Sequence, residues 1–556
     1  MNRTPVNIKT LLFSPVPEGI AVKTFCYFVI PCLFFLTGVM CSPLHSSNSL
    51  PASSGDEIAP FTVPFHMPQL KRPVFPSRQI SISEFGAQEG GIVKCTQCIQ
   101  SAIDSIAKSG GGTVFIPKGK WLTGALHFEN NINLHLDKDA ELVFSQDSAD
   151  YLPVVFSRHE DIECYKYSAF LYASGKENIA ITGEGTLNGQ GKPWWKLKTD
   201  GINNEKVLYD MGANNVPVKD RVFDGTNGKA LRPAFFQPMN CKNIFVEGVT
   251  FLYGAFWTIT PTYCENVIVR NVRIETEGEY GHTPNGDGVD PSSSRNVLIE
   301  NCIFDTGDDC IAIKAGRDAD GIRVNKPTEN IVVRNCKGLR GHGGIVIGSE
   351  TSGSIRNIYA EHCEFTGTDR IVRIKTARGR GGILENMWFN DLRGGNIQYE
   401  AIHLNMLYTG TRLPAEPVSN STPIIRNIHF DSITCTSGKS YAIEILGIPE
   451  MPVENISFNH ITASTDKGVN ISDAKGIQVT NSSFTSKKLP LVTITESKDI
   501  TIDSLTVPGD VTQFLHVEGS TSAGINVRNT TVPNRETSVS LGTGVPADAV
   551  IIEGGQ

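Results

Sequence analysis

The sequence has no excess of positive charge, and this lack excludes one class of function. Its 556 residues carry 50 Lys and Arg against 58 Asp and Glu, a formal net charge of −8 at pH 7. A general nucleic-acid-binding protein needs a basic surface, so we expect no nucleic-acid partner. Hydrophobic residues make up 40% of the chain, which excludes disorder of the whole. An acidic substrate is still allowed, because a few local cations suffice to bind one.

Paired cysteine ligands for a metal are also lacking. Cys95 and Cys98 form a single C-x-x-C, and no second pair stands at ligand spacing. Structural zinc sites need such a second pair, so we expect no zinc site, and we expect no cofactor.

No apolar run reaches the roughly 20 residues that a membrane-spanning helix needs. The run Phe25 to Met40 has about 16 residues and follows three basic residues, which is typical of a secretory leader. We therefore predict a signal peptide or lipoprotein leader over residues 1–42, with Cys41 as a candidate lipid anchor. An uncleaved membrane anchor is the alternative. Residues 43–79 are rich in Pro and Ser and are predicted to form a flexible tether. The expected location is periplasmic or outer-membrane-anchored, otherwise secreted.

A short repeat sets the predicted architecture. Asn is followed by an apolar residue, any residue and a second apolar residue, at intervals of roughly 20 to 40 residues. The position after the Asn holds Ile244, Val267, Val297, Ile331, Ile358, Met387, Ile428 and Ile456. Alternation with period two indicates strands, and short strands with variable loops predict an all-β, single-stranded parallel β-helix.

The limits of this domain come from the ends of the repeat. Helical spacing of apolar residues over Thr96 to Lys108 predicts a short N-terminal capping helix. The strand phrases weaken after Val507. We predict a β-helix over residues 80–535 and a C-terminal tail over residues 536–556.

Stacking the coils in register gathers candidate catalytic side chains. If Val289 points inward, Asp287 and Asp309 lie on adjacent coils, Asp308 lies beside Asp309, and His342 lies one coil beyond Asp308. Neighbouring carboxylates raise the pKa of at least one of them, so an acid and a base can coexist at one pH. Glycoside hydrolysis needs such a pair.

Cations follow on the next coil. Arg373 and Lys375 leave their strand on the outward side, so we expect them to bind an anionic group near the carboxylates. Lys314 is interpreted as a residue of a ladder or of the rim.

These residues occur in four ordered motifs that resemble those of glycoside hydrolase family 28, the polygalacturonases, and most of all its exo-acting bacterial members. The likeness extends from about residue 80 to about residue 507. The motifs are Asn285-Gly286-Asp287, Gly307-Asp308-Asp309, Gly341-His342-Gly343 and Arg373-Ile374-Lys375.

The resemblance implies a right-handed, pectin-lyase-like β-helix and hydrolysis with inversion. It implies that Asp308 is the general acid, that Asp287 and Asp309 activate water, and that His342 supports the protonation state of Asp308. The expected substrate is a pectic polysaccharide or oligogalacturonide, cleaved at α-linked galacturonic acid from chain ends by a monomer without a metal.

The resemblance also implies four substrate-binding residues. Arg373 and Lys375 would bind the substrate carboxylate, with Asn285 and Tyr408 as further contacts. Many family members have Thr where Gly286 stands, so one hydroxyl contact is expected to be missing here.

Two long stretches, residues 194–233 and 315–327, resemble insertions of exo-acting members and would wall off one end of a cleft. The alternatives are a rhamnogalacturonan or xylogalacturonan hydrolase, a calcium-dependent pectate lyase, and a non-catalytic β-helix adhesin.

Overall fold

The computed structural model of the protein describes residues 57–199, 203–408 and 411–553. The predicted leader with Cys41, and the first part of the predicted tether, lie outside these ranges. None of the helices in the described ranges is long and apolar enough to span a bilayer.

The described chain winds into a parallel β-helix, as the repeat predicts. Each coil contributes short strands to three parallel sheets, which meet around an apolar interior. The first sheet consists of Gln79–Ser81, Gly112–Ile116, Ile132–Leu136, Glu177–Gly183, Lys242–Glu247, Glu265–Arg270, Arg295–Glu300, Thr328–Arg334, Ile355–Thr366, Ile383–Gly395, Ile424–Asp431, Val453–Asn459, Ala474–Thr480, Lys498–Asp503, Ala523–Arg528 and Val550–Glu553.

The second and third sheets share several long strands that bend from one to the other. The second sheet contains Gly119–Thr123, Ala140–Phe144, Thr186–Asn188, Thr250–Leu252, Arg273–Glu275, Ile303–Asp305 and Lys337–Arg340. The third contains Leu126–His127, Leu171–Ser174, Phe236–Met239, Ile311–Ile313, Ile345–Ile347, Val372–Lys375, Ile402–Asn405, Leu515–Glu518 and Val539–Leu541. Thr434–Leu446, Thr462–Ser472 and Ser483–Thr495 take part in both.

The predicted register of the repeat is confirmed. Ile244 pairs with Val267, Val267 with Val297, and Val297 with Ile331 in the first sheet, and the row continues to Ile456. All of these side chains are buried. Like residues therefore stack on like residues from coil to coil.

The repeated asparagines form a hydrogen-bonded ladder. The amide Nδ2 of each donates to Oδ1 of the asparagine one coil earlier, over 2.9 to 3.2 Å. Their φ angles lie between 54° and 61°, a left-handed conformation that Asn tolerates better than most residues. The ladder is formed by Asn131, Asn178, Asn243, Asn266, Asn296, Asn330 and Asn357. This geometry explains why Asn begins each phrase.

The capping helix is confirmed with its predicted bounds. Helix α1 (Thr96–Lys108) buries Ile99, Ala102, Ile103 and Ile106 against the first coils. It covers the apolar end of the interior, which would otherwise face water.

The tether prediction is wrong for its described part. Residues 58–75 pack on an apolar row on the outer face of the first sheet, where Leu70 is buried beside Phe245 and Leu298. Arg334 donates to the backbone oxygens of residues 59 and 60 over 2.8 and 3.2 Å, and Arg72 pairs with Glu247 at 2.6 Å. The outward apolar row needs a cover, and this segment provides it. We refer to residues 58–75 as the strap.

The predicted C-terminal tail is also wrong within the described range. After α5 (Arg535–Ser538), Val539 pairs with Leu515, and Val550 pairs with Ile525. The coils therefore continue to residue 553. The weaker sequence pattern marks longer connections between these coils.

Several segments leave the β-helix on the side of the third sheet. The strands Val155–His159 and Ile162–Lys166 form an antiparallel pair, which Val222–Phe223 extends. Three helices, α2 (Lys192–Thr199), α3 (Asn204–Ala213) and α4 (Asp318–Val324), lie in the two predicted insertions, and α3 packs on α4. A small hairpin pairs Glu277–Gly278 with Gly281–His282.

Candidate active site

The third sheet carries the candidate catalytic residues at the start of its strands. Val289 pairs with Ile311, and Ile311 pairs with Ile345, as the predicted register requires. The backbone N–H of Gly288 donates to the carbonyl of Asp309 over 3.0 Å. Asp287 and Asp309 are thus held on adjacent coils by ladder hydrogen bonds.

The three predicted aspartates converge. One carboxylate oxygen from each of Asp287, Asp308 and Asp309 lies within 4.8 Å of the others. Asp287 and Asp309 are 2% and 1% exposed, and each keeps one buried oxygen, Oδ1, without a hydrogen-bond partner among the described residues. Asp308 is the most accessible of the three, with its side chain 20% exposed.

His342 lies beside Asp308, as predicted. Its Nδ1 is 3.0 Å from Asp308 Oδ1, and the ring reaches solvent at the rim. The side-chain hydrogen bond to Asp308 and the charge of that carboxylate raise the pKa of His342, although burial opposes them. A protonated imidazole is therefore favoured next to Asp308.

The carboxylates of Asp287 and Asp308 titrate as a coupled pair. Burial and the charge of Asp308 raise the pKa of Asp287 well above its usual range. Burial also acts to raise the pKa of Asp308, but the His342 hydrogen bond and charge outweigh it and hold that pKa below its usual range. In the free protein the shared proton is accordingly favoured on Asp287.

Two buried lysines balance the carboxylates. Lys375 Nζ donates to Asp309 Oδ2 over 2.8 Å, so this predicted substrate contact is already engaged. Lys314 Nζ lies 3.4 Å from Asp287 Oδ2 and 4.4 Å from the ring centroid of Trp257. The backbone of Lys314 pairs with Ser292 in the sheet ladder. The alternative interpretation as a rim residue is wrong, because Lys314 is 3% exposed and its side chain folds under Asp287.

Glu350 is a site residue that the sequence did not reveal. It is 4% exposed, and its carboxylate lies 3.4 Å from Lys314, 3.7 Å from Arg317 and 3.9 Å from Arg380. These three cations hold the pKa of Glu350 below its usual range against the opposing effect of burial. The sequence marks Glu350 only by its position, just after the third-sheet strand that follows His342.

Arg373 is the cation that remains available. It lines the cleft and is half-buried, and within the described part of the chain it forms no ion pair. Tyr408 lies at the rim, 38% exposed. Asn285 lines the cleft with its Oδ1 bound by Arg232 Nη2 at 2.7 Å. All the predicted site residues therefore border one cleft.

The two insertions supply side chains to this cleft. Lys198 belongs to the first insertion and Arg317 to the second. Tyr209 on α3 packs under the guanidinium of Arg317, whose Cζ lies 3.7 Å from the centroid of the Tyr209 ring. Glu160, from the antiparallel pair, accepts from both Arg317 and Tyr209. Glu160 was missed by the sequence reasoning, because the excursion that carries it matches no repeat.

The cleft has a volume of about 250 Å³ and is lined almost wholly by polar and charged residues. Gly343 keeps its floor low, since a Cβ there would stand 2.4 Å from Val346 and 3.5 Å from Asp309 Oδ1. Such a lining suits a hydrated, anionic ligand.

The glycine at position 286 has a steric reason. A Cβ there would stand 2.7 Å from Thr276 Oγ1 and 2.8 Å from Thr283. Thr276 Oγ1 also donates to the carbonyl of Gly286 over 2.6 Å. Neighbouring threonines therefore fill the space that a side chain at this position would need.

Among the residues that the structure describes, two groups of acidic and histidine side chains have spacing that could hold a cation. One is the catalytic trio and the other consists of Glu400, His403 and Glu444. Lys314 and Lys375 already neutralise the first, and Arg370 donates to Glu400 over 2.9 Å in the second.

Comparisons with known proteins identify the family of the chain. The model described as glycosyl hydrolases family 28 matches residues 219–469. An exopolygalacturonase of known structure from Thermotoga maritima is 36% identical, with a TM-score of 0.69, covering 76% of this chain and 95% of its own. An exo-poly-alpha-D-galacturonosidase from Dickeya chrysanthemi is 26% identical over 466 residues, 77% of this chain and 75% of that protein.

A more distant structure supports the fold. The family 28 exopolygalacturonase of Yersinia enterocolitica is 23% identical, with a TM-score of 0.62, and covers 82% of this chain and 79% of its own. Together with the four motifs and the carboxylate trio that they form on one face, the 36% identity to the Thermotoga maritima structure shows that the chain belongs to glycoside hydrolase family 28.

Proposed function

We propose that the protein hydrolyses α-linked galacturonic acid in pectic polysaccharides, and that it acts from chain ends. The observation that carries this proposal is the trio of carboxylates beside Arg373, a guanidinium without a carboxylate partner in the described chain. Hydrolysis needs an acid and a base, and an anionic sugar needs a free cation next to them. The relatives named exopolygalacturonase support the same assignment.

In this proposal Asp308 protonates the leaving oxygen, because it is the most accessible of the three carboxylates. Asp287 and Asp309 bind and activate the attacking water through the buried oxygens that have no partner among the described residues. His342 steadies the charge on Asp308 after the proton has left. Lys375 and Lys314 keep Asp309 and Asp287 from repelling one another.

The mechanism requires the shared proton to move. It is favoured on Asp287 in the free protein, whereas the leaving oxygen needs it on Asp308. The carboxylate oxygens lie within 4.8 Å, close enough for transfer through one water molecule. We propose that substrate binding shifts the proton to Asp308, since the charge of a bound galacturonate favours a neutral carboxyl nearby.

Arg373 is the proposed reader of the substrate carboxylate, and Asn285 and Tyr408 are proposed as neighbouring contacts. Lys375 differs from the expectation for it, because its ammonium group already binds Asp309. Its main effect would therefore be on catalysis rather than on substrate affinity.

Action from chain ends is supported by the walls of the cleft. The insertions and the antiparallel pair bring Lys198, Tyr209, Arg317 and Glu160 to it. A wall at one end of the cleft would block a polymer from running through and would leave room for a chain terminus. Monogalacturonate or digalacturonate should thus accumulate from the first minutes of digestion.

We propose inversion because the resemblance to family 28 implies it. The distances between the carboxylates do not by themselves support it. Inverting carboxyl pairs usually lie about 6.5–9.5 Å apart and retaining pairs about 5–5.5 Å. Here one oxygen from each carboxylate lies within 4.8 Å of the others, an oxygen-to-oxygen limit that does not distinguish the two cases. Proton NMR of the first product decides the point: an α-linked substrate should give the β-anomer, and an initial α-anomer contradicts inversion.

The deciding experiment is product identification from a panel of pectic oligosaccharides over time. Galacturonan, xylogalacturonan and rhamnogalacturonan fragments separate the proposed substrate from the two related ones. Asp308→Asn is the inactive control, expected to lower kcat about 10²–10⁴-fold. Unsaturated products absorbing in the ultraviolet, or loss of activity with a chelator, would instead favour the calcium-dependent lyase. Binding without any cleavage would favour an adhesin.

Export is also proposed, from the leader composition. Fractionation of cells expressing the full chain should place it outside the cytoplasm, and Cys41→Ser should release it from the membrane fraction if Cys41 carries a lipid. Retention of the variant in that fraction would argue against the lipid anchor.

A further inference from the structure

A buried arginine holds the turn that leads into Asp287. Arg232 is 1% exposed and lies at the end of the first insertion. Its Nη2 donates to Asn285 Oδ1 over 2.7 Å, and its Nη1 donates to the carbonyl of Pro284 over 2.5 Å. One planar, charged guanidinium thus binds both the backbone of this turn, at Pro284, and the side chain of Asn285.

These contacts determine which end of the Asn285 amide meets the cleft. A guanidinium has only donors, so the Asn285 atom that faces Arg232 has to be the oxygen. The Nδ2 group is therefore directed away from Arg232, and Asn285 lines the cleft. The residue offers the substrate N–H donors rather than an acceptor, which suits an anionic or hydroxyl-rich sugar.

Arg232 is itself oriented by the insertion. Its Nη2 also donates to Glu205 Oε1 on α3 over 2.9 Å. Behind Glu205 lies His159, whose Nε2 is 3.4 Å from the same oxygen and whose Nδ1 accepts from Lys166 at 3.2 Å. Burial and the Lys166 charge lower the pKa of His159 to about 3, so the ring is neutral with its proton on Nε2, facing Glu205.

We propose that Arg232 is a positioning residue that holds Asn285 with its N–H donors toward the substrate and so links the α2–α3 insertion to substrate binding. The proposal rests on the proposed function only for the identity of the sugar. The hydrogen bonds from Glu205 through Arg232 to Asn285 carry the proposal, because each is a directed contact among largely buried groups. Arg232 does not need to touch the substrate.

A double-mutant cycle tests the proposal, using the oligosaccharide of the panel that the wild type cleaves best. Arg232→Lys keeps the charge but cannot reach both acceptors, and it should raise KM about tenfold with a smaller change in kcat. Asn285→Ala should have a similar effect. The double variant should be no worse than Asn285→Ala alone, because the two residues act through one contact.

Arg221→Lys is the matched control. Arg221 is also 1% exposed and lies in the same insertion, but its Nη1 binds Asp320 at 2.6 Å. It should lower Tm about as much as Arg232→Lys while leaving KM unchanged. An unchanged KM in Arg232→Lys, or additive effects of Arg232→Lys and Asn285→Ala, would overturn the proposal.

Asn285→Asp covers the case in which Arg232→Lys does not fold. Aspartate keeps an oxygen facing Arg232 but has no N–H to give the substrate. Its KM should rise at least as much as that of Asn285→Ala. A KM equal to wild type would refute the donor orientation. Failure of the wild type to cleave galacturonides would refute the proposed substrate alone, since the cycle uses whichever sugar is cleaved.

Discussion

Replacement of Arg373 tests whether this side chain reads the substrate carboxylate. In the described chain its guanidinium has no carboxylate partner, so Arg373→Gln removes a substrate contact without leaving a protein anion unpaired. Truncation of a buried charged contact costs about 2–5 kcal/mol. Because Arg373 is half-buried, we take the lower half of this range, about 2–3 kcal/mol, or about 30- to 150-fold in kcat/KM.

The assay compares kcat/KM on trigalacturonate and on its methyl ester. Arg373→Gln should lose the full factor on the free acid and only a few-fold on the ester, which wild type should already use poorly. Arg373→Lys should lose about tenfold on the acid, because it keeps the charge but not the bidentate fork. Arg393→Gln, at an exposed site paired with Asp391, is the control. Equal losses on both substrates, or a wild-type preference for the ester, would refute the reasoning.

Three further predictions concern pH and stability. The pKa of His342 is raised, so the stabilisation from its pair with Asp308 is fully present below about pH 6.5 and is lost as pH rises through the folded pKa. The difference in unfolding free energy between wild type and His342→Gln, measured in urea, should therefore shrink from pH 6 to pH 9. A difference that stays constant would contradict this. Burial raises the pKa of Asp290, whose carboxylate has no hydrogen-bond partner among the described residues, so folding opposes its ionisation. The protein therefore loses up to about 1.4 kcal/mol of stability for each pH unit above about 3.9, until the folded pKa is reached. Asp290→Asn should stabilise the protein more at pH 7 than at pH 4 in thermal melts, and the reverse order would contradict the raised pKa. Leu70→Ala should lower the free energy of unfolding by about 2–5 kcal/mol, because Leu70 is a buried residue of the strap. Val74 is 87% exposed, so Val74→Ala should lower it by at most about 0.5 kcal/mol. Equal unfolding free energies for the two variants would indicate a loose strap.

Much of the catalytic row could be predicted from the sequence because a parallel β-helix repeats in register. Once the phrase after each Asn aligned Ile311 with Ile345, His342 had to fall beside Asp308 on the next coil. Period-two alternation then decided which side chains point outward. The third-sheet positions of Asp287 and Arg373 follow from the same stacking.

Side chains whose partners lie outside the repeat could not be predicted. The sequence does not say which way the long, flexible side chain of Lys314 folds, and only the structure places it under Asp287. Glu160 and Glu350 reach the cleft from an excursion and a turn that no register connects.

The sequence by itself determined the coil, its interior columns and the order of the motifs, since these depend on local periodicity and on like residues stacking on neighbouring coils. Only the tertiary structure decided the course of the strap, the last coils after residue 535 and the link from Glu205 through Arg232 to Asn285. Each of these depends on segments that are distant in sequence and meet at irregular positions, where burial of apolar surface and pairing of charges select one arrangement that no repeat encodes.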